Sequence, residues 1–169
     1  MSKDNLFVLE VNSTSGNIFL DKEFDRVKKK SFEKLRVSRA EMEKRILRKN
    51  TDHGTDIGLK LNQGVKIHHG DIIQNGEKKI IIEQIPEKTI TVKIKNKNNS
   101  DIMILLGYII GNRHRPIFIQ DDEVSFPIQA NSEKEVFVEL FSSIIDDIEI
   151  TVQEQVFSPH SGADIHEHG

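Results

Sequence analysis

The stretch Ser100-Asp101-Ile102-Met103-Ile104-Leu105-Leu106-Gly107-Tyr108-Ile109-Ile110-Gly111-Asn112 reads as a helix set between strands. Ser100 offers a hydroxyl cap, and Asp101 puts a carboxylate at the positive end of the helix dipole. Ile102, Leu105, Leu106, Ile109 and Ile110 follow at helical spacing and make one face apolar. Gly111-Asn112 ends the helix. Before it, Ile90, Val92 and Ile94 alternate with polar residues, the period of a half-buried strand. After it, Pro116 to Gln120 and Glu123 to Ile128 form two short strands around Asp121-Asp122. Ser132 and Glu135 are spaced as a capping box and open a second helix carrying Val136, Leu140, Phe141 and Ile144. Ile148, Ile150 and Val152 mark a last strand. The order is β-α-β-β-α-β, which is ferredoxin-like.

Outward from this block, Gln84-Ile85-Pro86-Glu87-Lys88 reads as a boundary, because Pro86 cannot donate to a sheet. Upstream, Phe7, Leu9 and Val11 alternate, as do Ile57, Leu59 and Leu61, and Arg45 to Lys49 is a further short strand. Ile72-Ile73-Gln74 and Ile80-Ile81-Ile82 flank Asn75-Gly76, a hairpin signal since both turn residues tolerate positive φ. Residues 22 to 44 are charged, with Phe24, Phe32 and Leu35 as large apolar anchors, and read as a partly helical connector. The C-terminal Ser158 to Gly169 lacks apolar periodicity and is expected to be a mobile tail. The fold class is α+β: an all-β domain over 1–85, a ferredoxin-like domain over 86–157 and a flexible histidine-containing tail over 158–169.

Composition narrows the function. Of 169 residues, 36% are hydrophobic and 30% charged, so a packed core and a well-solvated surface are both available. The net charge of −3 argues against a dedicated nucleic-acid binder, which needs a basic face. The basic run Arg26 to Lys30 follows Asp21, Glu23 and Asp25 and reads as a solvated segment. With no cysteine, neither a disulfide nor a thiolate ligand is available. Nothing resembles a signal peptide or a membrane span, so the cytosol is the expected compartment. His-Glu-x-x-His, Gly-x-Ser-x-Gly and phosphate-loop patterns are all absent, and no enzyme is expected.

Seven histidines remain as chemistry: His53, His68, His69, His114, His160, His166 and His168. Imidazole suits nickel, zinc and copper. His166-Glu167-His168, with His160 upstream, is a tail that can wrap an exposed ion, or it is an inert polar tail. His114 follows a helix end, where the dipole can stabilise its charge or its ring can cap free carbonyls. His68 and His69 are adjacent, so on a strand they point apart, and both read as surface residues. His53 lies between Asp52 and Gly54, which already specify a turn.

Three segments together resemble one family. Thr51-Asp52-His53-Gly54-Thr55-Asp56-Ile57-Gly58 is similar to the Thr-Asp-His-Gly segment of the urease accessory protein E family. Gly70-Asp71-Ile72 is similar to its next Gly-Asp turn, and Gly111-Asn112-Arg113-His114 to its most specific motif. A short linker, Phe157-Ser158-Pro159, and a histidine-bearing tail complete the likeness, which runs from about residue 44 to the end. The resemblance implies a nickel metallochaperone with a protein-binding β domain and a ferredoxin-like metal domain. It implies a homodimer that binds Ni(II) at its two-fold interface through His114. His160, His166 and His168 would supply further ligands. The implied partners are the urease accessory GTPase and the apo-urease assembly complex. In some members a second pair of histidines follows in the metal domain; here the matching stretch, Phe126 to Asn131, has none.

Two imidazoles from a dimer leave open positions on the ion, which tail histidines on a tether can fill and vacate. Zinc and copper are the competing ions in vitro. A different reading stays open on the residues alone: an adaptor or storage protein whose tail sequesters divalent ions without His114. A metal-dependent hydrolase is disfavoured, since no carboxylate stands beside the histidines as an evident base.

Overall fold

A computed structural model describes residues 7–11, 13–20, 32–75, 78–96 and 98–160. The chain divides into two compact units, Met1–Ile85 and Pro86–Gly169.

In the first unit, alternating apolar residues build two sheets. Strands β1 (Phe7–Val11), β4 (Ile46–Asn50) and β5 (Asp56–Leu61) form one, in the order β1-β5-β4. Strands β2 (Gly16–Asn17), β3 (Glu33–Val37), β6 (Asp71–Asn75) and β7 (Lys78–Gln84) form the other, in the order β2-β6-β7-β3. β1 runs parallel to β5, with Leu9 opposite Leu59, and β3 runs parallel to β7, with Leu35 opposite Ile82. β6 and β7 pair antiparallel across the Asn-Gly connection. Leu9, Ile57 and Leu59 of one sheet meet Leu35, Ile80 and Ile82 of the other in a single buried cluster. The period of two sends Ile81 to the opposite face, where it packs with Phe32 and Ile72.

Two expectations for this unit change. The segment read as a connector contains strand β3, and the part of it at residues 22–31 lies outside the described residues. The helix read within residues 22–44 is present as one turn, so the unit is not purely β. Ser38 Oγ accepts from the Glu41 amide at 3.2 Å while Glu41 Oε2 accepts from the Ser38 amide at 2.8 Å, a capping box that opens the one-turn helix α1 (Arg39–Met42).

The second unit runs β8 (Glu87–Ile94), α2 (Ser100–Gly111), β9 (Phe118–Gln120), β10 (Glu123–Pro127), α3 (Glu133–Leu140), a 3-10 turn (Ser142–Asp147) and β11 (Ile148–Gln155). Its sheet order is β11-β8-β10-β9, antiparallel throughout. Ile90, Val92 and Ile94 of β8 pack with Leu106 and Ile110 of α2 and with Phe137, Phe141 and Ile144. The rings of Phe126 and Phe137 lie 4.6 Å apart, in the range of a favourable tilted pair. Buried Thr91 is satisfied by the Ser125 hydroxyl at 2.8 Å and by Gln153 Nε2 at 3.2 Å.

Local capping differs from the sequence reading in both helices. Asn99 is the N-cap of α2, Ser100 is already helical, and no side chain caps this end. Ser132 adopts a helical conformation, so its hydroxyl makes no cap bond to α3. Val136 is exposed and Phe137 carries the buried contact. On α2 the buried stripe is Ile102, Leu106 and Ile110, spaced by four. Leu105, read as part of the buried face, is exposed together with Met103, Ile104 and Tyr108. The helix is therefore apolar nearly all round, with a second apolar face that this unit does not bury.

Candidate metal centre

His114 is exposed and follows the end of α2. The last turn is tightened by its own backbone. Asn112 N–H donates to the Tyr108 carbonyl at 3.0 Å, Arg113 N–H to Ile110 at 3.0 Å, and His114 N–H to Gly111 at 2.9 Å. His114 then takes φ = 50°. That left-handed conformation suits glycine and costs a residue with a Cβ about 1–3 kcal/mol. The reversal comes at His114 and not at the Gly111-Asn112 pair, because Asn112 keeps a right-handed helical conformation. Pro116 cannot continue a helix and biases Arg115 towards extended backbone.

Arg115 turns inward. Its Nη2 pairs with Glu133 Oε2, and both side chains are about three-quarters buried. Glu133 Oε1 accepts from the Gln129 amide at 2.6 Å and the Ala130 amide at 3.3 Å. One carboxylate thus fastens the turn before α3 and the loop that carries His114. Glu133 lies in the first turn of α3, and nothing local in the sequence pairs it with Arg115, eighteen residues away.

His160 is exposed, and its amide donates to the Ile117 carbonyl at 2.7 Å. Phe157, just upstream, is buried. Ile117 is three residues from His114, at most about 11 Å along the chain. The start of the tail is therefore docked beside the His114 loop of its own chain, where the sequence suggests a loose segment from Ser158 onward. His166 and His168, with the rest of 161–169, lie outside the described residues. Among the described residues no three His, Asp or Glu side chains gather as a metal cage. Within the described residues, the chain brings the His160 backbone towards the His114 loop.

The three remaining described histidines belong to the first unit. His53 is exposed in its turn, where Asp52 Oδ1 accepts from the Lys34 amide at 2.7 Å and Gly54 takes φ = 82°. His68 is exposed, with Nδ1 3.4 Å from Asp71 Oδ2. His69, read as a surface residue, is half-buried. Its Nδ1 accepts from the Gln84 amide at 3.0 Å and its ring lies 4.9 Å from Phe19. Among the described residues no helix is long and apolar enough to cross a membrane.

A two-unit α+β chain with an exposed helix-end histidine fits the class of urease accessory proteins, and both halves match models of that class. Residues 16–85 match the N-terminal domain of UreE urease accessory protein, and residues 87–169 match its C-terminal domain. The chain belongs to the UreE urease accessory protein family. It is 34% identical to the urease accessory protein UreE of Flavobacterium johnsoniae over 124 residues, 70% of this chain and 69% of that one. It is 31% identical to UreE of Staphylococcus epidermidis over 121 residues, covering 70% and 75% of the two chains. With UreE of Staphylococcus saprophyticus it shares 33% identity over 100 residues, covering 59% and 65%.

Proposed function

We propose that this chain is a nickel metallochaperone that holds Ni(II) at a homodimer interface through His114 and delivers it for assembly of the urease active site. The observation that carries the reading is where His114 stands. It is an exposed imidazole at the end of a helix whose outer face leaves Ile104 68% and Tyr108 66% accessible. A two-fold axis across that face would bury the apolar side chains and pair the two His114 rings. Tyr108 and His114 are six residues apart, roughly 9 Å along a helical path, so one interface can include both.

His160, His166 and His168 are the proposed further ligands, arriving from a tail whose first residues already lie beside the His114 loop. Ligands on a tether complete the shell and leave again, which a carrier needs. No step is catalytic, and the metal is cargo. The β-α-β-β-α-β order of residues 86–157 supports reading them as a ferredoxin-like metal domain. Residues 1–85 are the surface for the urease accessory GTPase and the apo-urease complex, and the cytosol is the place of work. Zinc and copper would compete for imidazole in vitro.

Nickel titration by calorimetry, with mass by light scattering, tests this on the wild type and His114→Ala. A tight site at one ion per dimer, lost in the variant, is the expected result. Unchanged tight binding would move the chemistry to the tail and favour metal storage.

A further inference from the structure

We propose that Glu133 is a positioning residue for His114, acting through Arg115. The proposal rests on the reading of His114 as a nickel ligand and adds residues outside the histidine set. Among the described residues the His114 ring has no hydrogen-bond partner. The backbone fixes where its Cβ sits and which way the Cα–Cβ bond points, and that backbone is in the left-handed region at φ = 50°. That region is costly for a residue with a Cβ, so contacts on either side that hold it there matter.

On one side, the His114 amide is bonded to the Gly111 carbonyl at 2.9 Å. On the other, the next residue is Arg115, whose guanidinium is paired with Glu133 Oε2. Glu133 cannot drift, because its second oxygen takes the amides of Gln129 and Ala130 at 2.6 and 3.3 Å. The clamp thus runs from the start of α3 through Arg115 to the peptide that aims the imidazole. The pair is only a quarter exposed, so solvent screens it less than a surface ion pair. The docking of His160 on Ile117 holds the loop from its far end.

An ion between two copies of one histidine is sensitive to where each ring points. Residues that orient a metal ligand without touching the metal typically carry about 10- to 100-fold of affinity. Glu133→Gln keeps an oxygen for the two amides and removes the charge that holds Arg115. Arg115→Ala removes the same link and leaves the Glu133 bonds to the Gln129 and Ala130 amides intact, so it serves if the first variant folds poorly.

Full-length wild type, Glu133→Gln, Arg115→Ala, the double variant and His114→Ala are titrated with nickel. Circular-dichroism melting and the Ni(II) absorption spectrum are recorded for each. The expected result is an affinity lowered about tenfold in either single variant. The double variant should be no worse than the singles, since both changes cut one link. The spectrum should change, the melt should stay that of a folded protein, and Arg115→Lys should recover part of the affinity. If His114→Ala abolishes the tight site but both single variants bind as wild type, the positioning role is overturned and the carrier reading stands. If His114→Ala binds as wild type, both fall together.

Discussion

Thr51 is a polar side chain with 6% of its surface exposed, and both capacities of its hydroxyl are used. It donates to Glu33 Oε2 at 2.6 Å and accepts from the Thr55 amide at 3.1 Å. Thr51→Val keeps the shape, leaves the Thr55 amide without its side-chain acceptor and removes one donor from Glu33, so unfolding in urea should show a loss of about 1–3 kcal/mol with an unchanged slope. Gly70 is a second fixed point, at φ = 86°, where a Cβ would meet the Phe19 ring and come within 2.9 Å of Asn17 Oδ1. Gly70→Ala should lower stability by about 1–3 kcal/mol by the same measurement, through backbone strain more than crowding, because exposed Phe19 can swing aside. At this scale the sequence was informative about turns and poor about partners. Asp52, Gly54 and Gly70 announce turns by residue type alone. Nothing local announces that His69 is half-buried and accepts the Gln84 amide, since that partner is fifteen residues away.

Elements were legible where the apolar pattern was strong. The alternation at 57–61 and at 90–94 gives β5 and β8 directly. Strand β3 was hidden because Leu35 and Val37 are its only two apolar residues, set among Glu33, Lys34 and Arg36, and its pairing with β7 is long-range and parallel. Helix caps misled for a different reason: a Ser at the right spacing caps only if its own backbone is extended, as Ser38 is and Ser132 is not. The α1 cap also makes a pH prediction. The hydrogen bond from Lys49 Nζ, then that from the Ser38 amide, hold the Glu41 carboxyl below its usual 4.5. Burial raises the Glu33 carboxyl, but hydrogen bonds from Thr51, Thr55 and Lys78 outweigh it and leave it lowered. A folded value below the unfolded one stabilises fully above the unfolded value and is lost as pH falls through the folded one. The melting temperature should therefore hold at neutral pH and decline below about pH 4.5. Glu41→Gln should flatten that decline, and an equally steep acid limb in the variant would count against it. Nickel affinity should fall as pH drops through about 6.5, where protons begin to compete for imidazole, a window above that of the carboxyls. The two pH windows separate metal release from unfolding.

For the whole molecule, the decisive feature is that α2 carries more apolar surface than its own unit can bury. The sequence shows an apolar helix, but a run such as Ile102 to Ile110 does not say which side faces out; only packing against β8 and Phe137 decides that. Once it is decided, Ile104 and Tyr108 face solvent and His114 ends the same helix. Burial of such a face between copies is worth about 25 cal/mol for each Å² of apolar area removed from water, so it favours self-association. A charge placed there must be desolvated twice in a two-fold dimer, once for each copy. Ile104→Glu and Tyr108→Glu touch no buried core position, so each unit should still fold. Light scattering should find them as monomers at concentrations where the wild type, on the proposed reading, should be a dimer. Titration should find the tight nickel site lost although every histidine is present. His114→Ala makes the opposite separation, a dimer without the site. If the Ile104→Glu monomer kept a tight nickel site of its own, pairing of His114 across a two-fold axis would be the wrong account, and the His160 segment docked on Ile117 would be the place to look for the missing ligand.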